Sequence, residues 1–390
     1  MVKIFLLVGN YLPGFKSGGA LRSTVNMVNR LGKEYEFKIL TSDRDIGDNT
    51  PYTNINTNEW NKSGNTSVYY LSPNQQSIKN IAKIISDTDH DILYLNSFFN
   101  PYFTIYPLLA RKIGLIPNKP VIIATRGEFA DGALNIKKFK KNVYMFFAKI
   151  FRLHENICWQ ASSEYEKNDI HKALRKKNLD IIIAPNIPKY LQSKSEKITV
   201  FQKNEKILKI CFLGRIAPVK NLDYALEILS KVGINVRFDI YGPKEDKNYW
   251  SHCLELIKNM PENIIIKYNG ALKNDAVHDM LKMHDLLFLP TKGENFGHVI
   301  LESMSAGTPV LIADTTPWRN LQENGAGWDI PLESPHKFVS AIEYAFSINT
   351  DEYVHFRNST RNYAVKFAND DSILESSRRL FMNALERKNV

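Results

Sequence analysis

Cysteine is scarce and poorly placed for cross-linking: Cys158, Cys211 and Cys253 are far apart, odd in number and never paired as Cys-x-x-Cys. With no clustered histidines beside them, neither a disulfide framework nor a structural zinc site is implied. Long apolar runs are missing as well. No stretch approaches the roughly 20 residues of a membrane span. The opening run Ile4-Phe5-Leu6-Leu7-Val8 is too short for a signal-peptide core before the turn at Gly9. It reads as the buried first strand of a cytoplasmic protein. Also absent is a G-x-G-x-x-G after that strand, which disfavours a dinucleotide oxidoreductase. No recognised nucleic-acid motif accompanies the basic residues, so nucleic acid is not expected as a partner.

What is present is enough chain for two cores. At 390 residues, the chain exceeds the roughly 250–300 residues that one hydrophobic core supports. Charge divides along the chain: residues 1–200 carry 28 Lys+Arg against 17 Asp+Glu, and the remainder 23 against 24. A basic first half attracts anionic partners of some kind, whether phosphorylated substrate, phospholipid or nucleic acid. Short Val/Ile/Leu/Phe runs alternate with helical patterns, the signature of parallel sheets with crossover helices. One series predicts strands at 3–9, 37–41, 92–96, 121–124 and 181–184; a second predicts them at 207–213, 236–241, 264–268, 286–290 and 310–313. The expected fold is α/β, with two doubly wound Rossmann-like domains facing each other across a cleft. The expected boundaries are a domain at 1–187, a linker at 188–206, a domain at 207–370, and a terminal helix in 371–390 that packs back on the first domain.

Three segments carry chemistry. After the first strand, Gly18-Gly19 stand at the start of a helix, where unpaired backbone N–H groups and the helix dipole favour an anion and glycines allow its close approach. Arg22 adds a cation one turn in. The second series opens with Gly214-Arg215 and continues to Lys220, placing two cations on a loop at a strand's carboxyl end. Prepositioned cations there stabilise the charge that develops on a departing diphosphate. The third is Glu294-Asn295-Phe296-Gly297-His298 with Glu302. A helix starting near Phe296 or Gly297 separates the two carboxylates by roughly 10 Å, enough to grip hydroxyls on adjoining sugars. Taken singly, each segment also fits a plain turn, solvated cations or a capped helix.

Together and in this order, the segments resemble the retaining glycosyltransferases of family 4, which have the GT-B fold. Phe212 to Leu222 is similar to that family's Gly-Arg phosphate loop, and Glu294 with Glu302 to its E-x7-E motif, followed by Ser305-Ala306-Gly307-Thr308-Pro309-Val310. The resemblance implies an acceptor-side first domain and a donor-binding second one. Arg215 and Lys220 would hold the diphosphate, Glu294 the donor sugar and Glu302 the ribose. Gly214, Asn295, Phe296, Gly297 and His298 would complete the donor cradle, together with Gly18 and Gly19, while backbone at Gly270, Ala271 and Leu272 would meet the base. The strand at 121–124 is followed by Thr125-Arg126-Gly127-Glu128 where many members have His-Gly. This resembles the Arg-Gly-Glu subgroup frequent among polysaccharide and lipopolysaccharide enzymes, and assigns Arg22, Arg126 and Glu128 to the acceptor or donor-sugar region. The implied reaction moves a sugar with retention from a nucleotide-diphosphate sugar to a saccharide or lipid-linked acceptor. The co-substrate replaces any cofactor, and no divalent metal is expected. Asp87, Asp89 and Asp91 mimic a metal-binding pattern but precede a strand, on the wrong end for ligand, and read as a solvated turn. Trp318 reads as a core residue rather than a sugar-stacking one.

The segment from Lys137 to Arg152 interleaves basic and aromatic residues. Val143, Phe146, Phe147 and Ile150 fit the core stripe of a crossover helix with a solvated lysine face, the preferred reading. The same segment also suits peripheral contact with an anionic membrane on its cytoplasmic face. Rival functions are a nucleotide-sugar epimerase or phosphorylase of similar architecture, or a non-enzymatic protein that binds anionic ligands or nucleic acid.

Overall fold

A computed structural model describes residues 1–135, 137–176, 178–192 and 206–386. Most of the expected linker, residues 193–205, lies outside the described residues. The chain divides into two compact units, Met1–Lys189 with Asp370–Val390, and Tyr190–Asn369.

In the first unit the strands are β1 (Val2–Leu7), β2 (Tyr35–Ser42), β3 (Trp60–Ser63), β4 (Thr66–Leu71), β5 (Ile92–Leu95), β6 (Val121–Ala124), β7 (Ile157–Ala161) and β8 (Ile181–Ile183). Their order across the sheet is β3-β4-β2-β1-β5-β6-β7-β8. All neighbours pair in parallel except the β3–β4 edge hairpin. Strands β5 and β6 are buried along their whole length, as expected for a parallel sheet covered on both faces. The expected strands at 3–9, 37–41, 92–96, 121–124 and 181–184 appear as β1, β2, β5, β6 and β8. The sequence series omitted β3, β4 and β7. Strand β7 contains the polar Gln160, which is buried because its amide donates to the Ala184 carbonyl and its oxygen accepts from Tyr94.

The terminal helix Asp371–Glu386 belongs to this first unit. Phe381 is fully buried on it, with ring contacts to Tyr35 at 5.0 Å and Tyr94 at 6.3 Å. Arg378 adds a bidentate pair to Glu34 at 2.7 and 2.9 Å.

The second unit has β9 (Leu208–Leu213), β10 (Val236–Tyr241), β11 (Ile264–Tyr268), β12 (Leu286–Leu289), β13 (Val310–Ala313) and β14 (Gly327–Ile330). They form one parallel sheet in the order β11-β10-β9-β12-β13-β14. The two points where the chain enters and leaves this unit lie side by side, since Leu191 and Asn369 exchange two hydrogen bonds, at 3.2 and 2.7 Å.

The basic helix corrects an expectation. It spans Lys138–Ile150, but Val143, Phe146, Phe147 and Ile150 are exposed and only Ala148 is fully buried. The helix instead turns Tyr144, Met145 and Ala148 inward. The small Ala148 permits close approach, and Tyr144 sets its ring 5.5 Å from Phe98 and its hydroxyl 3.1 Å from Nε2 of His154.

His154 lies beneath this helix against Phe98 and Trp159, and burial there pulls its pKa down to about 4. Between about pH 6.5 and pH 4 the unfolded chain therefore binds a proton that the folded chain refuses. Stability falls as pH drops through that window and levels off below it, with a contribution of up to about 3 kcal/mol. Urea unfolding at neutral and at mildly acidic pH should show a shallower loss for His154→Gln than for the wild type. Identical losses in both proteins would refute this assignment.

Candidate active site

Every parallel strand of the second unit delivers its carboxyl end to the same edge of the sheet, where loops carry the chemistry-bearing residues. Three of these loops are hydrogen-bonded in a row. Gly214 N donates to the Tyr241 carbonyl at 3.0 Å, and Gly242 N donates to the Gly270 carbonyl at 2.8 Å. The chain comes closest at Gly242, whose φ is +140° and where an added Cβ would lie 1.8 Å from the Gly214 oxygen. Gly270 also has positive φ, at +78°, and Ala271 and Leu272 follow it toward the next helix.

Beyond Gly214, a short 3-10 turn at Pro218–Lys220 leads into the helix Leu222–Leu229. Asn221 makes this turn with a left-handed backbone and anchors it by donating to the Pro290 carbonyl at 2.9 Å. The loop after β12 is tied to the same turn. Lys292 N and the Thr291 hydroxyl both donate to the Val219 carbonyl, at 2.8 and 2.9 Å. These ties bring Lys220 Nζ into a direct ion pair with a Glu294 carboxylate oxygen, both side chains more than four-fifths shielded from solvent. The Lys220 stem passes over Gly214, where a Cβ would sit 3.7 Å from its Cγ. Arg215 is not part of that pair; it is half exposed and bridges to Glu245.

The turn from Glu294 ends at Gly297, left-handed at φ +78°, and the helix His298–Ser305 follows. A Cβ on Gly297 would meet Ile300 Cδ1 at 2.7 Å and Glu294 Cγ at 3.1 Å, so this turn needs glycine. Phe296 is buried and the His298 ring packs on it at 4.6 Å, while Asn295 is held in the same turn. Glu302 is half-buried, four residues into the helix, which is about one turn. Trp318 is buried, donating to the Phe296 carbonyl at 2.6 Å and packing on Phe367.

In the first unit, Gly18 (φ +59°) precedes the helix Gly19–Leu31, and both glycines are exposed. Burial lowers the Arg22 guanidinium pKa below its ordinary value, which leaves it charged all the same. The loop leading to Gly18 is held by the buried Asp45, which accepts from the backbone N–H of Phe15 at 2.7 Å and of Lys16 at 3.0 Å.

The Thr125-Arg126-Gly127-Glu128 loop is held from within. Glu166, buried, accepts from the Thr125 hydroxyl at 2.7 Å, from Gly127 N at 2.5 Å, and from the Ser162 N–H and hydroxyl at 2.7 Å each. Arg126, with φ +52°, donates to Asn96 at 2.6 Å, to the Tyr94 hydroxyl at 2.9 Å and to Asn186. These partners are neutral, so they use its donors without cancelling its charge. Glu128 accepts from the Ser97 hydroxyl at 2.8 Å and from the backbone N–H of Phe98 and Phe99 at 2.6 and 3.0 Å. Glu128 thus joins the carboxyl ends of β5 and β6. The acidic turn at Asp87 to Asp91 lies at the amino end of β5, where Lys3 pairs with Asp89 and donates its backbone N–H to Asp91 at 2.9 Å.

Gly242, Glu245, Asp45 and Glu166 were not among the sequence candidates. Gly242-Pro243 directly after β10 was a readable signal, because a glycine closing a strand repeats the pattern at Gly214. Nothing in local spacing pointed to Glu245. Gly242→Ala is expected to cost about 2–4 kcal/mol, since it combines positive φ with a backbone collision. Chemical denaturation measures this, and a loss below about 0.5 kcal/mol would mean that the crossing relaxes freely.

Known proteins resemble this chain in sequence and in fold. Residues 193–366 match the family model described as Glycosyl transferases group 1. An uncharacterized 41.2 kDa protein from the cps region of Klebsiella pneumoniae is 25% identical over 295 residues, covering 74% of this chain and 77% of its own. An uncharacterized glycosyltransferase of Methanocaldococcus jannaschii is 26% identical over 304 residues, 75% of this chain and 74% of its own. Among solved structures, Anabaena HepE in complex with UDP and glucose superposes with a TM-score of 0.65 at 14% identity, covering 98% of this chain and 99% of that one. WaaG, a glycosyltransferase involved in lipopolysaccharide biosynthesis, superposes with a TM-score of 0.62 at 13% identity, covering 97% and 99%. Residues 193–366 are thus similar to the group 1 glycosyltransferases, and the chain as a whole shares the fold of HepE and WaaG.

Proposed function

We propose that this protein transfers a sugar, with retention of anomeric configuration, from a nucleoside-diphosphate sugar to a saccharide or lipid-linked saccharide during assembly of a cell-surface polysaccharide or lipopolysaccharide. The observation that carries the reading is the shielded Lys220–Glu294 pair at the carboxyl ends of the adjacent strands β9 and β12. A cation and an acceptor-only carboxylate held side by side match the two ends of the bond to be broken, phosphate on one side and sugar hydroxyls on the other. The relative from a cps region and the fold shared with WaaG support the polysaccharide or lipopolysaccharide setting. The UDP and glucose bound to HepE make UDP-hexoses the first donors to try.

In this mechanism Lys220 and Arg215 receive the diphosphate, Arg215 leaving Glu245 to do so. Glu294 holds donor-sugar hydroxyls and Glu302 the ribose, while backbone at Gly270 to Leu272 meets the base. The acceptor oxygen forms its bond to the anomeric carbon on the face from which the diphosphate departs. As the bond to the diphosphate oxygen breaks, that oxygen takes the acceptor's proton. The two side-chain cations offset the developing charge, so a divalent metal is dispensable. Arg126, its charge uncancelled, and Arg22 serve the acceptor in the first unit; Glu128 holds the Arg126 loop to β5.

Two measurements test this. Calorimetry with UDP-hexoses and other nucleoside-diphosphate sugars in EDTA should find one that binds without metal, and Glu294→Ala should weaken it. Lys220→Ala should lower turnover about 100-fold to 1000-fold, or roughly 3–4 kcal/mol in the barrier, with the fold intact. Loss of stability without a selective loss of turnover, or donor binding only with added metal, would overturn the assignment.

A further inference from the structure

The helix Lys138–Ile150 has two apolar faces, and only one of them is covered. Tyr144, Met145 and Ala148 pack inward. At about 100° per residue, Phe139, Val143, Phe146, Phe147 and Ile150 form a stripe on the opposite side. Each is exposed, from 39% at Val143 to 81% at Phe139. The aromatic patch continues through Phe151, whose ring stacks on Phe147 at 6.3 Å. By the same helical geometry, Lys138 and Lys149 border the stripe on one side and Lys140 on the other; all three are exposed, and no acidic residue occurs from 132 to 154.

This border decides what can cover the stripe. A symmetric contact between two copies sets the same patch against itself, which would bring like charges together. An anionic lipid surface satisfies both features, because aromatic rings enter the headgroup boundary while lysines remain over the phosphates. The helix has 13 residues, too short to span a bilayer, so it would lie in the surface plane. We propose that this face docks the protein on an anionic bilayer. The inner face of the helix meets the loop that Glu128 holds, with Lys141 Nζ 4.6 Å over the Phe99 ring and Tyr144 6.0 Å from it. Docking therefore brings the carboxyl ends of β5 and β6 to the lipid surface. The docking does not depend on the assigned donor or acceptor.

Flotation of the full chain with vesicles of phosphatidylcholine alone, or with a quarter phosphatidylglycerol, tests it. Binding is expected only to the anionic vesicles and should fall in high salt. Replacing Lys138, Lys140 and Lys149 together by Gln should weaken it about 100-fold. Phe146→Ser with Phe147→Ser should also weaken it, and neither variant should change the melting temperature, because all five side chains are exposed. Equal binding to both vesicle types, binding to neither, or retained binding by both variants would overturn the proposal. So would self-association in solution abolished by the Phe146 and Phe147 substitutions.

Discussion

Strand β9 lies between β10 and β12, and this adjacency organises the second unit's chemistry. Parallel pairing forces all three strands to end on one edge, so their following loops must share a small area. The Gly214 loop is bound to the end of β10, the end of β10 to Gly270 after β11, and the Pro218–Lys220 turn to the loop after β12. Lys220 and Glu294, 74 residues apart in the chain, meet because their strands are neighbours. Gly242 makes the arrangement possible by leaving room for the Gly214 carbonyl.

The first unit solves a related problem with buried and half-buried carboxylates. Its strand-end loops contain backbone N–H groups that lack sheet partners, and Asp45, Glu128 and Glu166 accept from them. A carboxylate taking several hydrogen bonds in a shielded position is well stabilised, whereas one left without donors would be costly to bury. Arg126 is held differently, by neutral oxygens that fix its position and preserve its charge. A loop already held by such bonds limits the reorganisation that a reaction demands.

The basic charge of the first half also acquires a location. Part of it sits on one helix whose inward face is closed by Ala148 and Tyr144, so Lys138, Lys140 and Lys149 are presented on the outside together with Phe139, Phe146 and Phe147. That face is structural on one side and open to partners on the other.

Much of the fold was legible locally. Apolar runs such as Val121 to Ala124 and Leu286 to Leu289 announce buried parallel strands, and glycines at strand ends announce turns into helices. The E-x7-E spacing and the Gly-Arg loop were readable because their residues are close in sequence. Tertiary structure alone decided which charges meet: Lys220 with Glu294, Arg215 with Glu245, Arg126 with Asn96 and Asn186. Ser163 to Glu166 shows the difference. The spacing is that of a capping box, and Ser163 does cap Glu166 N at 3.2 Å, yet the Glu166 side chain turns to Thr125, Gly127 and Ser162. The basic helix gives the same lesson, since its pattern fits burial on either side and only packing against Phe98 and His154 chose one. Sequence period sets which residues share a face; what that face meets depends on neighbours far away in the chain.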